Sequence, residues 1–184
     1  MIYFFTPYAF NKKLFDAWDS YMDVVGNPED WVCMMDGDVL FLISDFGHQM
    51  QTYIDKYPDT GLFTCYASRT SRPKLRWPGS DMTNPSIIYH RFKAELIYAA
   101  HHGKVVDLED LNALGYLMLL KKSTWLLIRE QVKEWTLDKN ILGIDTRISK
   151  AIRKAGLKTY LMKGMYVLHY YRMKNGENDK SILL

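Results

Sequence analysis

Only two cysteines, Cys33 and Cys65, occur among the 184 residues, too few for the disulfide framework of a small secreted domain. Each sits inside a strand-like apolar run, so both are expected as reduced core residues in a reducing compartment. No apolar run approaches the roughly 18 residues that a membrane-spanning helix needs. The start, MIYFFTPYAFNKK, is apolar, but its charges follow the apolar stretch and no small-residue cleavage site appears, unlike a signal peptide. A cytoplasmic chain without a transmembrane segment is therefore expected. Strong charge of one sign is also missing. A formal net charge of +3 leaves room for an anionic ligand but falls short of the overall signature of a nucleic-acid binder. There is no internal repeat and no low-complexity segment.

What the chain does have is apolar and aromatic surface to bury, 48% and 14% of its residues. That suffices for one well-cored domain, expected over residues 1–172, with a polar tail over 173–184. IYFFT (Ile2 to Thr6), stopped by Pro7, reads as a buried strand. Leu14, Phe15, Trp18, Tyr21, Met22 and Val25 recur at three- and four-residue spacing, which predicts an amphipathic helix ended by GNPED. WVCMM is a second buried strand, and two strands joined through a helix are the parallel crossover unit of α/β proteins. Asp45 caps a predicted helix to about Lys56, and GLFTCYAS (Gly61 to Ser68) follows as a third strand. Thr70 to Pro85 carries three of the six prolines and is expected as a loop long enough to act as a lid. Next comes a helix to about His102, with Ile88, Phe92, Leu96 and Ala99 along one side. A buried strand within Ala113 to Trp125 then leads to a helix capped by Ser123 or Thr124 and running to about Trp135. A helix from Asp145 closed by Gly156 precedes two short strands with Gly164 between them.

The stretch WVCMMDGDVLFLIS (Trp31 to Ser44) sets Asp36 and Asp38 between two apolar runs. If the backbone stays extended, side chains at i and i+2 point to one side. Two carboxylates so placed raise each other's pKa unless a cation offsets the repulsion, and hard divalent ions such as Mg²⁺ or Mn²⁺ prefer oxygen ligands. Ligands of open α/β sheets also gather at the carboxyl ends of strands. Asp-Gly is equally a common turn signal, so the same stretch also reads as a β-hairpin with a solvated tip.

The succession of a strand, the TPYAFN turn, a helix, a strand ending in MDGD, then GYLMLLKKSTW, GIDTRISKAIRKAG and VLHYYR resembles the family-2 glycosyltransferases of the GT-A fold. The resemblance implies an α/β fold with a mixed, mostly parallel central sheet and helices on both faces. The form is compact: about 30 residues separate Tyr3 from Asp36, which leaves out one N-terminal βα unit that reads the base in the family. The resemblance further implies that Asp36, Asp38 and His169 hold a divalent cation, Mn²⁺ or Mg²⁺, on the diphosphate of a UDP- or GDP-sugar. Pro7, Tyr8 and Asn11 then meet the nucleotide, and Gly115 to Trp125 line the donor and acceptor site. Asp145 matches the catalytic base, with Ile144 where an acidic residue usually precedes it. The implied activity is metal-dependent, inverting transfer of a sugar from a nucleoside-diphosphate donor to an acceptor hydroxyl. In such a reaction the metal stabilises charge on the leaving phosphate while a carboxylate takes the acceptor's proton.

Plainer readings stand beside these. Asp145 suits a helix N-terminus, and His169, next to Val167 and Leu168, suits a hydrogen-bonded core histidine. His101 and His102 suit a helix end. Arg69, Arg72, Lys74 and Arg76, with Trp77, fit either a group closing over a diphosphate or a solvated loop. Rival functions are a nucleotide-sugar-binding module without independent turnover and a metal-dependent nucleotidyltransferase or hydrolase whose two aspartates hold two Mg²⁺ ions. A nucleic-acid binder using the basic loop is disfavoured by the modest net charge.

Overall fold

The computed structural model describes residues 1–8, 13–137, 143–170, 173–174 and 177–178. In chain order the elements are β1 (Ile2–Phe5), α1 (Leu14–Val24), β2 (Trp31–Met35), β3 (Val39–Phe41), α2 (Phe46–Lys56), β4 (Leu62–Ala67) and α3 (Ile87–His101). There follow β5 (Val105–Asp107), β6 (Leu117–Lys121), α4 (Lys122–Leu137), α5 (Ile144–Lys154), β7 (Thr159–His169), β8 (Met173–Lys174) and β9 (Glu177–Asn178). They group into two units interleaved along the sequence, one of Met1–Gly37, Asp59–Thr64 and Asp107–Tyr160, the other of Asp38–Pro58, Cys65–Val106 and Leu161–Leu184. Among the described residues no helix is long and apolar enough to cross a membrane.

In the first unit the strand order is β1-β2-β6-β4. The β1–α1–β2 crossover is parallel as expected, with Ile2 opposite Trp31 and Phe5 opposite Met34. Phe15, Trp18 and Met22, the inward face of α1, join Trp125, Ile128 and Val132 of α4 and Ile148, Ala151 and Ile152 of α5 in one apolar core. Trp125 is its hub. The ring lies 5.6 Å from Phe15 and 5.8 Å from Trp18, and its indole N–H donates to Asp19 Oδ1 at 2.8 Å, so the one polar atom of a fully buried side chain is satisfied. Gly156, at φ +74°, ends α5 and donates its N–H to Arg153 O, the left-handed cap expected of it.

In the second unit the order is β4-β7-β3, with β5 beside β7. All six residues of β4 are buried, and α2 buries Gln49, Met50, Tyr53 and Ile54. Ser86 caps α3 by accepting the Tyr89 N–H at 3.3 Å. Cys33 and Cys65 are both free and buried, and burial pushes the Cys33 thiol well above its usual range.

Several expectations are corrected. The sheet is mixed rather than mostly parallel: β2–β6, β4–β6 and β3–β7 are antiparallel ladders. Strands buried on both faces read as continuous apolar runs whichever way they point, so composition does not reveal direction. The hairpin reading of residues 31–44 fails, because β2 pairs with β1 and β6 whereas β3 pairs with β7. Helix α4 starts at Lys122, directly after β6, so Ser123 and Thr124 lie in its first turn rather than at a cap. Gly164 does not divide two strands; β7 runs unbroken from Thr159 to His169. The glycine serves a close approach instead, since a Cβ there would stand 2.7 Å from the His102 Cα. Finally, residues 70–85 form a tethered segment and not a free lid. Pro73–Leu75 is a short 3₁₀ turn with Leu75 fully buried, Ala67 bridges Arg76, and Asp81 donates its N–H to Tyr89 Oη.

Candidate metal centre

The centre is built from one turn and one strand end. After β2 the Asp36 N–H donates to Tyr116 O at 3.3 Å, and Gly37 and Asp38 form the turn that delivers the chain to β3. In the β3–β7 ladder Val39 stands opposite His169, and the Tyr170 N–H donates to Asp38 O at 3.0 Å. That register brings the Asp38 carboxylate against the imidazole, with Oδ1 3.3 Å from His169 Nε2.

His169 is 4% exposed and fixed on every polar side. Its ring Nδ1 lies 2.9 Å from Arg69 O, its backbone N–H donates to Ser68 Oγ at 3.0 Å, and Ser68 Oγ donates to His169 O at 3.3 Å. Because a carbonyl only accepts, Nδ1 carries the hydrogen and Nε2 is the nitrogen turned to Asp38. Asp38 is half-exposed, and its hydrogen bond to His169 holds its carboxyl below the usual range, against the opposing effect of burial. Asp36, two residues earlier on the same turn, is exposed. One ligand atom from each of Asp36, Asp38 and His169 lies within 4.8 Å of the others. Two carboxylates and an imidazole are a donor set suited to Mn²⁺ or Mg²⁺ with water completing the shell.

In the first unit Asp145 sits in the first turn of α5, after Gly143 at φ +103°. Its Oδ1 accepts the Thr146 N–H at 2.7 Å and its Oδ2 accepts the Gly115 N–H at 3.3 Å. A Cβ on Gly115 would come to 3.8 Å from Asp36 Oδ1, so Asp36 and Asp145 flank the same short segment. Each carboxylate oxygen of Asp145 keeps a further lone pair.

The other residues singled out in the sequence are distributed differently. Tyr8 is 76% exposed and Pro7 half-buried, while Asn11 lies outside the described residues. Arg69 does not belong to a solvent-facing loop: it is 1% exposed, its Nη1 donates to Met82 O at 3.2 Å, and burial lowers its pKa. Arg72 is half-buried and Lys74 exposed. Trp77 packs edge-on to Tyr66 at 5.1 Å and tilted against His101 at 5.1 Å. Ser68 is the residue that sequence reasoning missed; a serine closing a buried strand carries no signal of its partner a hundred positions away.

Comparison with protein-family models, with curated proteins and with solved structures finds no match to this chain.

Proposed function

We propose that the protein is a divalent-cation-dependent glycosyltransferase that moves a sugar from a nucleoside-diphosphate donor to an acceptor hydroxyl. The observation that carries the reading is the Asp38–His169 contact. With Nδ1–H given to Arg69 O, His169 turns Nε2 toward Asp38 Oδ1 at 3.3 Å. A proton on Nε2 or a cation can join the two groups there, and the second aspartate of the same turn supports the cation. Asp36, Asp38 and His169 would hold it against the donor's diphosphate, where it draws off the charge that develops as the anomeric C–O bond breaks. Asp145 would take the acceptor's hydroxyl proton as its oxygen attacks the anomeric carbon. The order of motifs along the chain supports the same assignment, as does the position of Asp36 directly after a strand flanked on both sides.

A second reading has its own observation. β1 ends the strand order of the first unit, and the chain passes from α1 straight to β2 without the second βα unit that reads the base in the family it resembles. A nucleotide-sugar-binding module without turnover is consistent with that edge.

Calorimetric titration with UDP, GDP and their sugars, with and without Mn²⁺, separates the readings. Metal-dependent donor binding that Asp38→Ala abolishes, together with transfer that Asp145→Asn removes, supports the enzyme. Metal-dependent binding without turnover supports the module. No binding of metal or nucleotide overturns both.

A further inference from the structure

Helix α3 is apolar on two sides. One side, with His90, Ala94 and Ile97, is buried. On the other, Ile88, Phe92 and Leu96 follow at four-residue spacing in a single row and are 81%, 58% and 49% exposed, with Ile87 beside them at 48%. A continuous apolar ridge on a helix that already has its core face marks an interaction site.

Charge says what it meets. Residues 70–104 hold six Lys and Arg against two Asp and Glu, whereas the rest of the chain holds eighteen against nineteen. The positive excess of the protein therefore lies entirely in α3 and the segments that flank it. The one acid on α3, Glu95, is paired with Arg91 at 3.1 Å, and Lys74 and Lys104 are exposed. We propose that α3 seats the protein on an anionic phospholipid bilayer, with Ile88, Phe92 and Leu96 in the boundary between headgroups and acyl chains and the surrounding Lys and Arg on lipid phosphates. A second copy is the poorer occupant, because it would set the same positive segment against itself. A bilayer supplies the opposite charge and admits a convex ridge without a matching groove. The attachment is peripheral, since α3 keeps its other side in the fold.

The test is co-sedimentation with vesicles of phosphatidylcholine alone and of phosphatidylcholine mixed with phosphatidylserine. The expected result is pelleting with the mixed vesicles only, weakened by added salt. Ile88→Ser with Phe92→Ser should lower the partition coefficient at least roughly tenfold, and Lys93→Gln about fivefold. Ile88 and Phe92 are exposed while Lys93 is half-buried with its Nζ over the Tyr89 ring, and unchanged melting curves establish that the variants fold. Absence of pelleting with the anionic vesicles, or pelleting that survives Ile88→Ser with Phe92→Ser, overturns the proposal. So does a concentration-dependent dimer in the ultracentrifuge, without vesicle binding, that the same substitutions abolish: the ridge then belongs to a second copy.

Discussion

Replacing Gly164 by alanine probes how tightly β7, the strand that ends in His169, is held. The new Cβ would stand 2.7 Å from the His102 Cα, 2.8 Å from the His102 N and 2.8 Å from Tyr53 Oη. The first two are backbone atoms at the end of α3, so no rotamer change clears them, and overpacking of this kind costs about 1–3 kcal/mol. Moving Tyr53 aside adds to it. Tyr53 Oη accepts the Gly164 N–H at 2.9 Å, and a buried donor left unpaired costs about 1–3 kcal/mol. The combined loss is about 2–6 kcal/mol, which for a chain of this length lowers the unfolding midpoint by roughly 4–24 °C. Thermal unfolding followed by circular dichroism reads it directly. Tyr53→Phe alone should cost about 1–3 kcal/mol, and the double variant less than the sum, because the two substitutions share one contact. A Gly164→Ala protein melting within about one degree of the parent would refute the reasoning.

Asp36→Asn, Asp38→Asn and His169→Gln should each weaken Mn²⁺ binding about tenfold or more, read from the paramagnetic signal of the free ion; unchanged affinity in all three would remove the site. Asp145→Asn should leave metal and donor binding in place and lower kcat by roughly 10²- to 10⁴-fold in a transfer assay, whereas full activity would exclude it as the base. Burial holds the His90 imidazole below its usual value of 6.5. The unfolded chain therefore takes up that proton first, so the stability this group contributes is present above about pH 6.5 and lost as pH falls below it. Denaturant midpoints measured downward from neutral pH should show this slope in the parent and a flatter one in His90→Gln.

Much of the fold is legible locally. The spacing of Phe15, Trp18 and Met22 states both a helix and the side it buries, and the β1–α1–β2 crossover follows from two apolar runs with that helix between them. Strand direction is not legible, because β6 is as apolar as a parallel strand and only its partners reveal that it runs the other way. Burial sides are likewise ambiguous when a helix is apolar on two sides. Ile88, Phe92 and Leu96 have the spacing of a core stripe, yet the core takes His90, Ala94 and Ile97. His90 wins that place because both ring nitrogens find partners, Nδ1 at Tyr166 Oη (2.7 Å) and Nε2 at Asn84 O (2.8 Å). Asn84 O can only accept, so Nε2 donates to it and the neutral ring accepts the Tyr166 hydroxyl proton. That pair of bonds also ties residue 84 down, which is why a proline-rich stretch of lid-like composition is held in place.

The candidate ligands were legible as residue types, but what brings them together is backbone pairing. Asp36 is anchored through its N–H to Tyr116 O, and Asp38 through its carbonyl to the Tyr170 N–H. His169 is anchored through its N–H to Ser68 Oγ and through its ring to Arg69 O. None of these partners can be read from an Asp-Gly-Asp triplet or from a histidine in an apolar run, because each depends on the register between strands far apart in sequence. The arrangement also explains why a buried arginine follows Ser68. Its carbonyl fixes the His169 tautomer while its guanidinium holds Met82 O, so one residue orients a ligand with its main chain and tethers the neighbouring loop with its side chain. The His169 ring and the segment at Met82 thus share one residue as a partner, although they lie far apart in sequence.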